Sequence, residues 1–251
     1  MRPVVVLPRF ASSGAPAEFD PSGSAKQELT DEIGTFCSFC GKYNSRSALH
    51  VEHIRGKKCK DAADNYIYDH LKFRWDNFLL ACINCNSVKG NKDVVALNSF
   101  LPNINNLLHF VDILSGGLIE VKNSVTGENL ARTRAFIDLV GLDRVPGHPR
   151  HSPKDDRWDN RLKAYDLALR HLHKYTAEVR TTDIETIIDL AGKTGFFCVW
   201  YSVFNLHFEV KEALVKGTTD SSGNLIIAFP GTHQESFNGI DNYSTLPRPN
   251  E

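Results

Sequence analysis

The first third of the chain contains two short stretches whose apolar positions predict β-strands. Leu49–Ile54 reads apolar, polar, apolar, polar, polar, apolar, with His53 as its penultimate residue, a pattern typical of a short strand. Trp75–Cys82 is mostly apolar and predicts a second strand. Residues 65–74 between the two fit either a short helix or an ordered loop.

Beyond the second strand the apolar positions change to helical spacing. Asn84–Lys92 predicts the first turns of a helix, started by Asn84 or Asn86. Further along, Glu128–Val140 carries an apolar stripe at helical spacing and is followed by Gly141, which predicts a helix that ends at this glycine.

The second half of the chain is predicted to be mostly helical. Ser152 and Pro153 fit the N-cap and first residue of a long helix. Asp183 is the predicted cap of another helix, and Gly116 and Gly117 predict a turn. The aliphatic and aromatic stripes of these helices are read as core, because no cofactor-binding motif interrupts them.

Composition places the chain among globular proteins. It has 251 residues, of which 41% are hydrophobic and 24% charged, values close to the average for folded domains. The apolar run Val4–Leu7 is too short for a signal peptide, so a cytoplasmic location is expected. Phe196–Phe208 is too short to cross a bilayer, and no membrane partner is predicted.

The charge is unevenly distributed, although the formal net charge is only -1. This value argues against a protein that coats nucleic acid through its overall charge, but it allows a local basic patch. Such a patch is present around residue 53. Its members are Lys42, Arg46, Arg55, Lys57, Lys58 and Lys60.

Four of the six cysteines form two Cys-x-x-Cys pairs, here called knuckles. They are Cys37-Ser-Phe-Cys40 and Cys82-Ile-Asn-Cys85. Two knuckles supply the four thiolates of a tetrahedral zinc site, so a structural Zn²⁺ is predicted; a redox dithiol and chance pairing are the alternatives. The cysteines without a partner at this spacing are Cys59 and Cys198.

The strand, strand and helix between and after the knuckles resemble the HNH endonucleases. In that family the ββα-metal motif carries an acid-His or His-His pair on the first strand, an Asn before the second, and a His or Asn on the helix. The matching residues here are Glu52, His53, Asn77 and Asn86. The resemblance implies an α+β protein: a ββα-metal module with a structural zinc, followed by a mostly helical domain.

The resemblance also implies a role for each residue. His53 would be the general base that activates water. Glu52 and Asn86 would hold a catalytic Mg²⁺ or Mn²⁺ through oxygen atoms, and Asn77 would hydrogen-bond the backbone beside His53. The sequence departs from the commonest pattern in having Asn where His is frequent and Glu where Asp is frequent, without loss of a required donor.

Four basic residues are candidates for contact with substrate phosphates, namely Arg55, Lys57, Lys58 and Lys89. The alternative is a solvated charged face. Lys89 follows Asn86 by one helical turn, so both are expected on the same face of the helix.

The predicted organisation has four parts. Residues 1–29 form a flexible lead, 30–97 the nuclease module, 98–235 a helical domain and 236–251 a polar tail. Later segments, including Gly141–Asp143 and Arg157–Arg161, resemble the HNH nucleases of Septu-type anti-phage systems. That resemblance implies a defence effector acting with an ATPase partner.

Nucleic acid is the expected substrate, with DNA favoured over RNA. Two other functions remain open at the level of sequence. One is an endonuclease acting on RNA such as tRNA. The other is a zinc-finger-like module that binds nucleic acid without cutting it; the presence of Glu52, His53, Asn77 and Asn86 together argues against this, because binding alone does not require all four.

Overall fold

A computed structural model describes residues 1–179 and 182–237. Within these ranges the protein is α+β, with seven helices and three two-stranded antiparallel sheets. The helices are α1 (Lys26–Ile33), α2 (Ile83–Lys89), α3 (Gly127–Val140), α4 (Arg157–Thr176), α5 (Ile184–Thr194), α6 (Phe197–Val203) and α7 (Phe208–Lys216). The strands are β1 (Leu49–His53), β2 (Phe78–Cys82), β3 (Val111–Leu114), β4 (Leu118–Val121), β5 (Thr218–Thr219) and β6 (Leu225–Ile226).

The first sheet confirms both predicted strands and shortens the second. β1 and β2 are antiparallel, with Leu49 opposite Cys82 and His53 opposite Phe78. A 3-10 turn at Trp75–Asn77 comes before β2, so the extended part begins only at Phe78. Residues 65–74 are mainly loop, with one 3-10 turn at 69–71.

The helix after β2 begins earlier than predicted. α2 starts at Ile83 with Cys82 as its N-cap residue and ends at Lys89, so neither Asn84 nor Asn86 begins it. The reason lies in the second knuckle. Cys82 ends the strand and Cys85 occupies the first turn of the helix, and this arrangement turns both thiols to the same side of the strand–helix junction.

The capping predictions for α3 and α5 are confirmed, whereas that for α4 is wrong. Gly141 ends α3 in the left-handed conformation with φ 63°, and the Asp183 side chain accepts a hydrogen bond from Thr186 N at 2.7 Å. α4, however, begins at Arg157. The Asp155 carboxylate binds both the backbone and the guanidinium of Arg157, and this contact places the helix start beyond Pro153.

The predicted turn at Gly116 and Gly117 joins β3 to β4, a hairpin that the apolar pattern did not reveal. Gly117 has φ 67°, and a Cβ on it would lie 3.0 Å from Leu162 N. Glycine therefore serves two purposes here, since it allows the turn and lets α4 approach the hairpin closely.

Two hydrophobic clusters lie on either side of the β1–β2 sheet. The smaller packs α1 residues such as Leu29 and Ile33 against Trp75 and Leu80. The larger contains the knuckle cysteines together with the side chains of α3 to α7. The predicted units 30–97 and 98–235 therefore share one core.

The ends of the chain differ from a simple lead and tail. Met1 and Val4 are fully buried in the larger cluster, and α1 begins within the predicted lead, at Lys26. Most of the predicted tail, from residue 238 onward, lies outside the described residues. None of the helices in the described ranges combines the length and the apolar composition needed to cross a bilayer.

Candidate metal centre and adjoining polar site

The four knuckle cysteines, here called the four-cysteine cluster, converge on one point. All four are buried, and their sulfur atoms lie within 4.8 Å of one another. The Cys40 and Cys82 sulfurs are 3.8 Å apart. Tetrahedral zinc with Zn–S bonds of about 2.3 Å places neighbouring sulfurs about 3.8 Å apart, so the cluster is suitable for a structural zinc. Because the protein would supply all four ligands, no position would be left open for a substrate.

The first knuckle depends on a glycine. Gly41 N donates to Cys37 O at 2.8 Å and closes the turn. Gly41 has φ 83°, and a Cβ there would lie 2.7 Å from Met1 N. A side chain at this position would therefore clash as well as strain the backbone.

A buried arginine lies against the four-cysteine cluster. Arg157 Nη1 is 3.1 Å from Cys85 Sγ and also donates to Val140 O at 2.6 Å, while Nε donates to Asp155 at 2.8 Å. Burial lowers the pKa of this guanidinium, but Asp155 and the neighbouring cysteines outweigh burial and raise it. Arg157 thus places a positive charge beside the Cys85 sulfur and ties the second knuckle to the junction of α3 and α4.

At the opposite end of β1, Glu52 and His53 form what is here called the Glu–His site. Adjacent side chains on a regular strand point to opposite faces, so Glu52 and His53 could not serve one site from within a strand. β1 ends at His53, which removes this restriction. Both residues are nearly covered, with exposed fractions of 7% for Glu52 and 6% for His53. The site is therefore a set of inward-facing polar groups rather than an open surface pair.

Lys89 makes the main polar contact of Glu52. Its Nζ donates to Glu52 Oε1 at 2.7 Å and to His53 O at 2.8 Å, and the lysine is 0% exposed. Burial raises the pKa of Glu52, and Lys89 and Lys57 oppose that rise. A buried carboxylate and a buried ammonium each require the other. The structure thus places Lys89 against Glu52, and its predicted contact with a phosphate stays a prediction.

The ring of His53 is held by a backbone carbonyl. Its Nε2 lies 2.8 Å from Lys72 O, and because a carbonyl only accepts, Nε2 carries the proton in this contact. The ring also meets Phe78 edge-on at 5.2 Å. In the neutral ring Nδ1 is left as the basic nitrogen, and it has no hydrogen-bond partner among residues 1–179 and 182–237.

The surroundings keep His53 neutral. Burial lowers the pKa of the imidazole, Lys57, Lys89 and Lys72 lower it further, and the hydrogen bond to the Lys72 carbonyl opposes them. A lowered pKa means that the ring is unprotonated at neutral pH and able to take up a proton.

Asn77 lies directly behind this site. It is fully buried, accepts a hydrogen bond from Arg55 N at 2.8 Å, and donates to Arg55 O at 3.1 Å and Leu71 O at 3.2 Å. These bonds fasten the chain that leaves His53 to the loop before β2. The predicted catalytic role of the residue stays a prediction.

The remaining predicted residues belong to α2 and to the loop after β1. Asn86 is half-buried on α2, and Lys57 and Lys58 are exposed. Arg55 is half-buried, with its guanidinium 5.7 Å from the centre of the Tyr68 ring. Lys57 affects the pKa of both Glu52 and His53, so the basic loop after β1 faces the Glu–His site.

The donor types of Glu52 and Asn86 fit a hard divalent cation, because both offer oxygen. Glu52 Oε2 accepts no hydrogen bond within the described part of the chain. Lys89 holds Oε1 of the same carboxylate, however, and its charge weakens the affinity for a second cation. Glu52 can therefore serve as a ligand only alongside Lys89 or after Lys89 has moved.

Sequence reasoning found the cysteines and the polar residues but not the contact that Arg157 makes with Cys85. These residues are 72 positions apart, and no local pattern connects them. No family model matches the chain, and no curated protein or solved structure was found to be similar to it. The function has to be inferred from the residues and geometry of the two sites.

Proposed function

We propose that this protein is a metal-dependent endonuclease of the HNH type, which hydrolyses phosphodiester bonds in nucleic acid, with DNA favoured over RNA. The observation that supports this most directly is the state of His53. Its Nε2 proton is held by Lys72 O, its pKa is lowered, and Nδ1 is left as a base beside Glu52. The four-cysteine cluster lies at the other end of the β1–β2 sheet, where a bound metal would hold the two strands rigidly.

In the proposed reaction His53 Nδ1 takes a proton from the water that attacks phosphorus. The Lys72 carbonyl, already bonded to Nε2, stabilises the imidazolium that results. Asn77 holds the chain immediately after His53, which restricts the ring to one position. Lys57 and Lys58, both exposed, bind phosphates on either side of the cleaved bond.

A Mg²⁺ or Mn²⁺ held by Glu52 and Asn86 would neutralise charge on the phosphate and the departing 3′ oxygen. Lys89 has a related role within the chain itself. Its ammonium opposes the rise that burial causes in the pKa of Glu52 and holds the carboxylate toward α2, which is the helix that carries Asn86.

The defence role and the ATPase partner are part of the proposal. They rest on the resemblance of later segments to Septu-type nucleases and on the formal net charge of -1. A chain with this charge gains little affinity for nucleic acid from its overall field, so a partner would supply recognition.

The test compares cleavage by wild-type protein and His53→Ala, with His50→Ala as the matched control. His50 lies on the same strand but is exposed. Zinc-loaded protein is given supercoiled plasmid or total RNA, with Mg²⁺, with Mn²⁺ or with neither. Removal of a general base lowers the rate about 10²–10⁴-fold, whereas His50→Ala should retain wild-type activity. Equal cleavage by the wild type and His53→Ala would exclude the assigned base, and cleavage of RNA alone would reassign the substrate.

A second candidate function is binding of nucleic acid without cleavage. The buried Glu52–Lys89 pair favours it, because a carboxylate engaged in this way can be purely structural. If neither the wild type nor the variants cut either substrate, but the wild type binds DNA with an affinity that falls steeply with salt, this function replaces the first.

A further inference from the structure

A second polar region lies away from the Glu–His site, in a cleft between the first knuckle and the helices α4 and α5. Its volume is about 410 Å³, within the range of small-molecule sites. Among residues 1–179 and 182–237, four cationic side chains and no acidic residue line it. The cations are Lys42 from the knuckle loop, Lys163 and Arg170 from α4, and Lys193 from α5.

Backbone contacts join the two walls of this cleft, the loop after the first knuckle and the segment after α5. Lys42 forms a β-bridge with Gly195, and Phe196 N donates to Gly41 O at 2.7 Å. A Cβ on Gly195 would lie 2.5 Å from Tyr43 N, so only glycine allows this approach. Phe196 is buried and has φ 54°, a left-handed conformation that is unfavourable for a bulky residue.

Strained backbone of this kind persists only where the surrounding structure enforces it, and it concentrates at functional positions. Here it fixes the loop that carries Lys42 and Tyr43 opposite the cations of α4 and α5.

The existing ion pairs of these cations are weak. Lys42 pairs with Asp156, Lys163 with Asp159 and Lys193 with Asp189, and each pair has an exposed carboxylate. Exposed pairs contribute little and exchange readily. Arg170 has no ion pair among residues 1–179 and 182–237. A multiply charged anion in the cleft would compete with these exposed carboxylates for the cations that line it.

An aromatic ring completes the site. Tyr43 is 45% exposed at the edge of the cleft, and its ring is anchored edge-on against Phe36 at 5.9 Å. Exposed aromatic rings beside cations are a common platform for a nucleobase. Phosphates on the cations and a base on Tyr43 are the two halves of a nucleotide.

We propose that this cleft binds the phosphates of a nucleotide, with the base against Tyr43. The ligand is either a free nucleoside triphosphate or the end of a single-stranded nucleic acid. None of the lining residues belongs to the four-cysteine cluster or the Glu–His site, so the proposal is independent of the nuclease activity.

The test measures binding by calorimetry to the full, zinc-loaded chain, using ATP, inorganic triphosphate and a 5′-phosphorylated oligothymidylate. Arg170→Glu and Lys163→Glu should each weaken binding on the order of tenfold, since each removes a charge-assisted contact. Lys174→Glu, an exposed position on the same helix outside the cleft, should bind like the wild type. Tyr43→Ala should weaken binding of ATP but not of triphosphate.

The outcomes separate the two ligand sources. Binding of ATP and triphosphate without the oligonucleotide indicates a free nucleotide, and the reverse indicates a nucleic-acid end. The proposal is overturned if none of the three probes binds, or if Arg170→Glu and Lys174→Glu have the same effect. A thermal melt of each variant confirms that the loss of binding is not a loss of folding.

Discussion

The two ends of the β1–β2 sheet use buried polar groups in opposite ways. At the four-cysteine cluster every donor points at one position, and the site is complete in itself. At the Glu–His site His53 Nδ1 and Glu52 Oε2 are without hydrogen bonds in the described ranges. One end is therefore suited to a structural zinc, and the other retains hydrogen-bonding groups that are not engaged within the described ranges.

Each end of the sheet also has a buried cation, and the two cations differ in how many groups they contact. Arg157 comes from a distant helix and contacts sulfur, carboxylate and carbonyl atoms together. Lys89 belongs to α2 itself, and within the described part of the chain its ammonium hydrogen-bonds the Glu–His site alone. Substitutions at each end should therefore give distinct results, and the expected effects run from loss of the whole fold to the shift of a single pKa.

The largest effect is expected from loss of zinc. Elemental analysis should find about one Zn²⁺ per chain. Cys85→Ser should abolish the cooperative thermal transition, because the free energy of structural zinc binding, about 10–16 kcal/mol, is as large as the whole free energy of unfolding of a typical fold, about 5–15 kcal/mol. Cys59→Ser is the control, because Cys59 is buried outside the cluster and its thiol donates to Asn91 O. A normal melt of Cys85→Ser would show that the cluster does not hold a stabilising metal.

The next effect is expected at the Glu52–Lys89 pair. Lys89→Met leaves a buried carboxylate without its partner and should lower the free energy of unfolding by about 3–5 kcal/mol, measured by urea denaturation. The double variant Glu52→Gln with Lys89→Met should lose less than the sum of the two single losses. Additive losses would mean that the two side chains do not interact in solution.

A smaller effect is expected at Asn77. Asn77→Ala removes three hydrogen bonds to buried backbone groups and should reduce stability by about 1–3 kcal/mol. Asn65→Ala is the matched control, since Asn65 is exposed and its side-chain amide donates to the exposed Asp61 at 3.2 Å. If Asn77→Ala melts like the control, the anchoring of the chain after His53 does not depend on this amide.

The smallest effect concerns the basic loop. Lys57→Ala should change stability by less than about 0.5 kcal/mol but raise the pKa of His53, because Lys57 is one of the cations that lower it. Lys58→Ala should change that pKa less, since Lys58 is not among the main causes of the shift. NMR titration of the His53 ring in zinc-loaded protein separates the two, and equal pKa values in both variants would place Lys57 away from the site.

Much of the β1–β2 sheet and the four-cysteine cluster could be predicted from residues close together in the sequence. The knuckle spacing indicated the four-cysteine cluster, and the alternation around Val51 indicated β1. Gly141 and Asp183 were recognisable as helix ends because their roles involve only neighbouring residues. Such features depend on contacts a few positions apart, which a sequence displays directly.

Long-range contacts account for most of what was missed. The start of α4 is set by Asp155 and Arg157, whose partners include a sulfur on another element. The inward direction of Lys89 follows from the buried charge of Glu52, although the sequence showed only a lysine on the expected helix face. The β3–β4 hairpin was hidden because its strands have only four residues each.

The loop after Cys40 connects the four-cysteine cluster with the cleft between this loop and the helices α4 and α5. The two sites have no lining residue in common. Gly41 closes the first knuckle by donating to Cys37 O and also accepts from Phe196 N at the wall of the cleft. A nucleotide that binds only when this loop is in place is thermodynamically linked to the metal. Such coupling is reciprocal. If zinc raises the affinity for the nucleotide by some factor, the nucleotide raises the affinity for zinc by the same factor. Slower removal of zinc by a chelator would therefore report that the cleft is occupied.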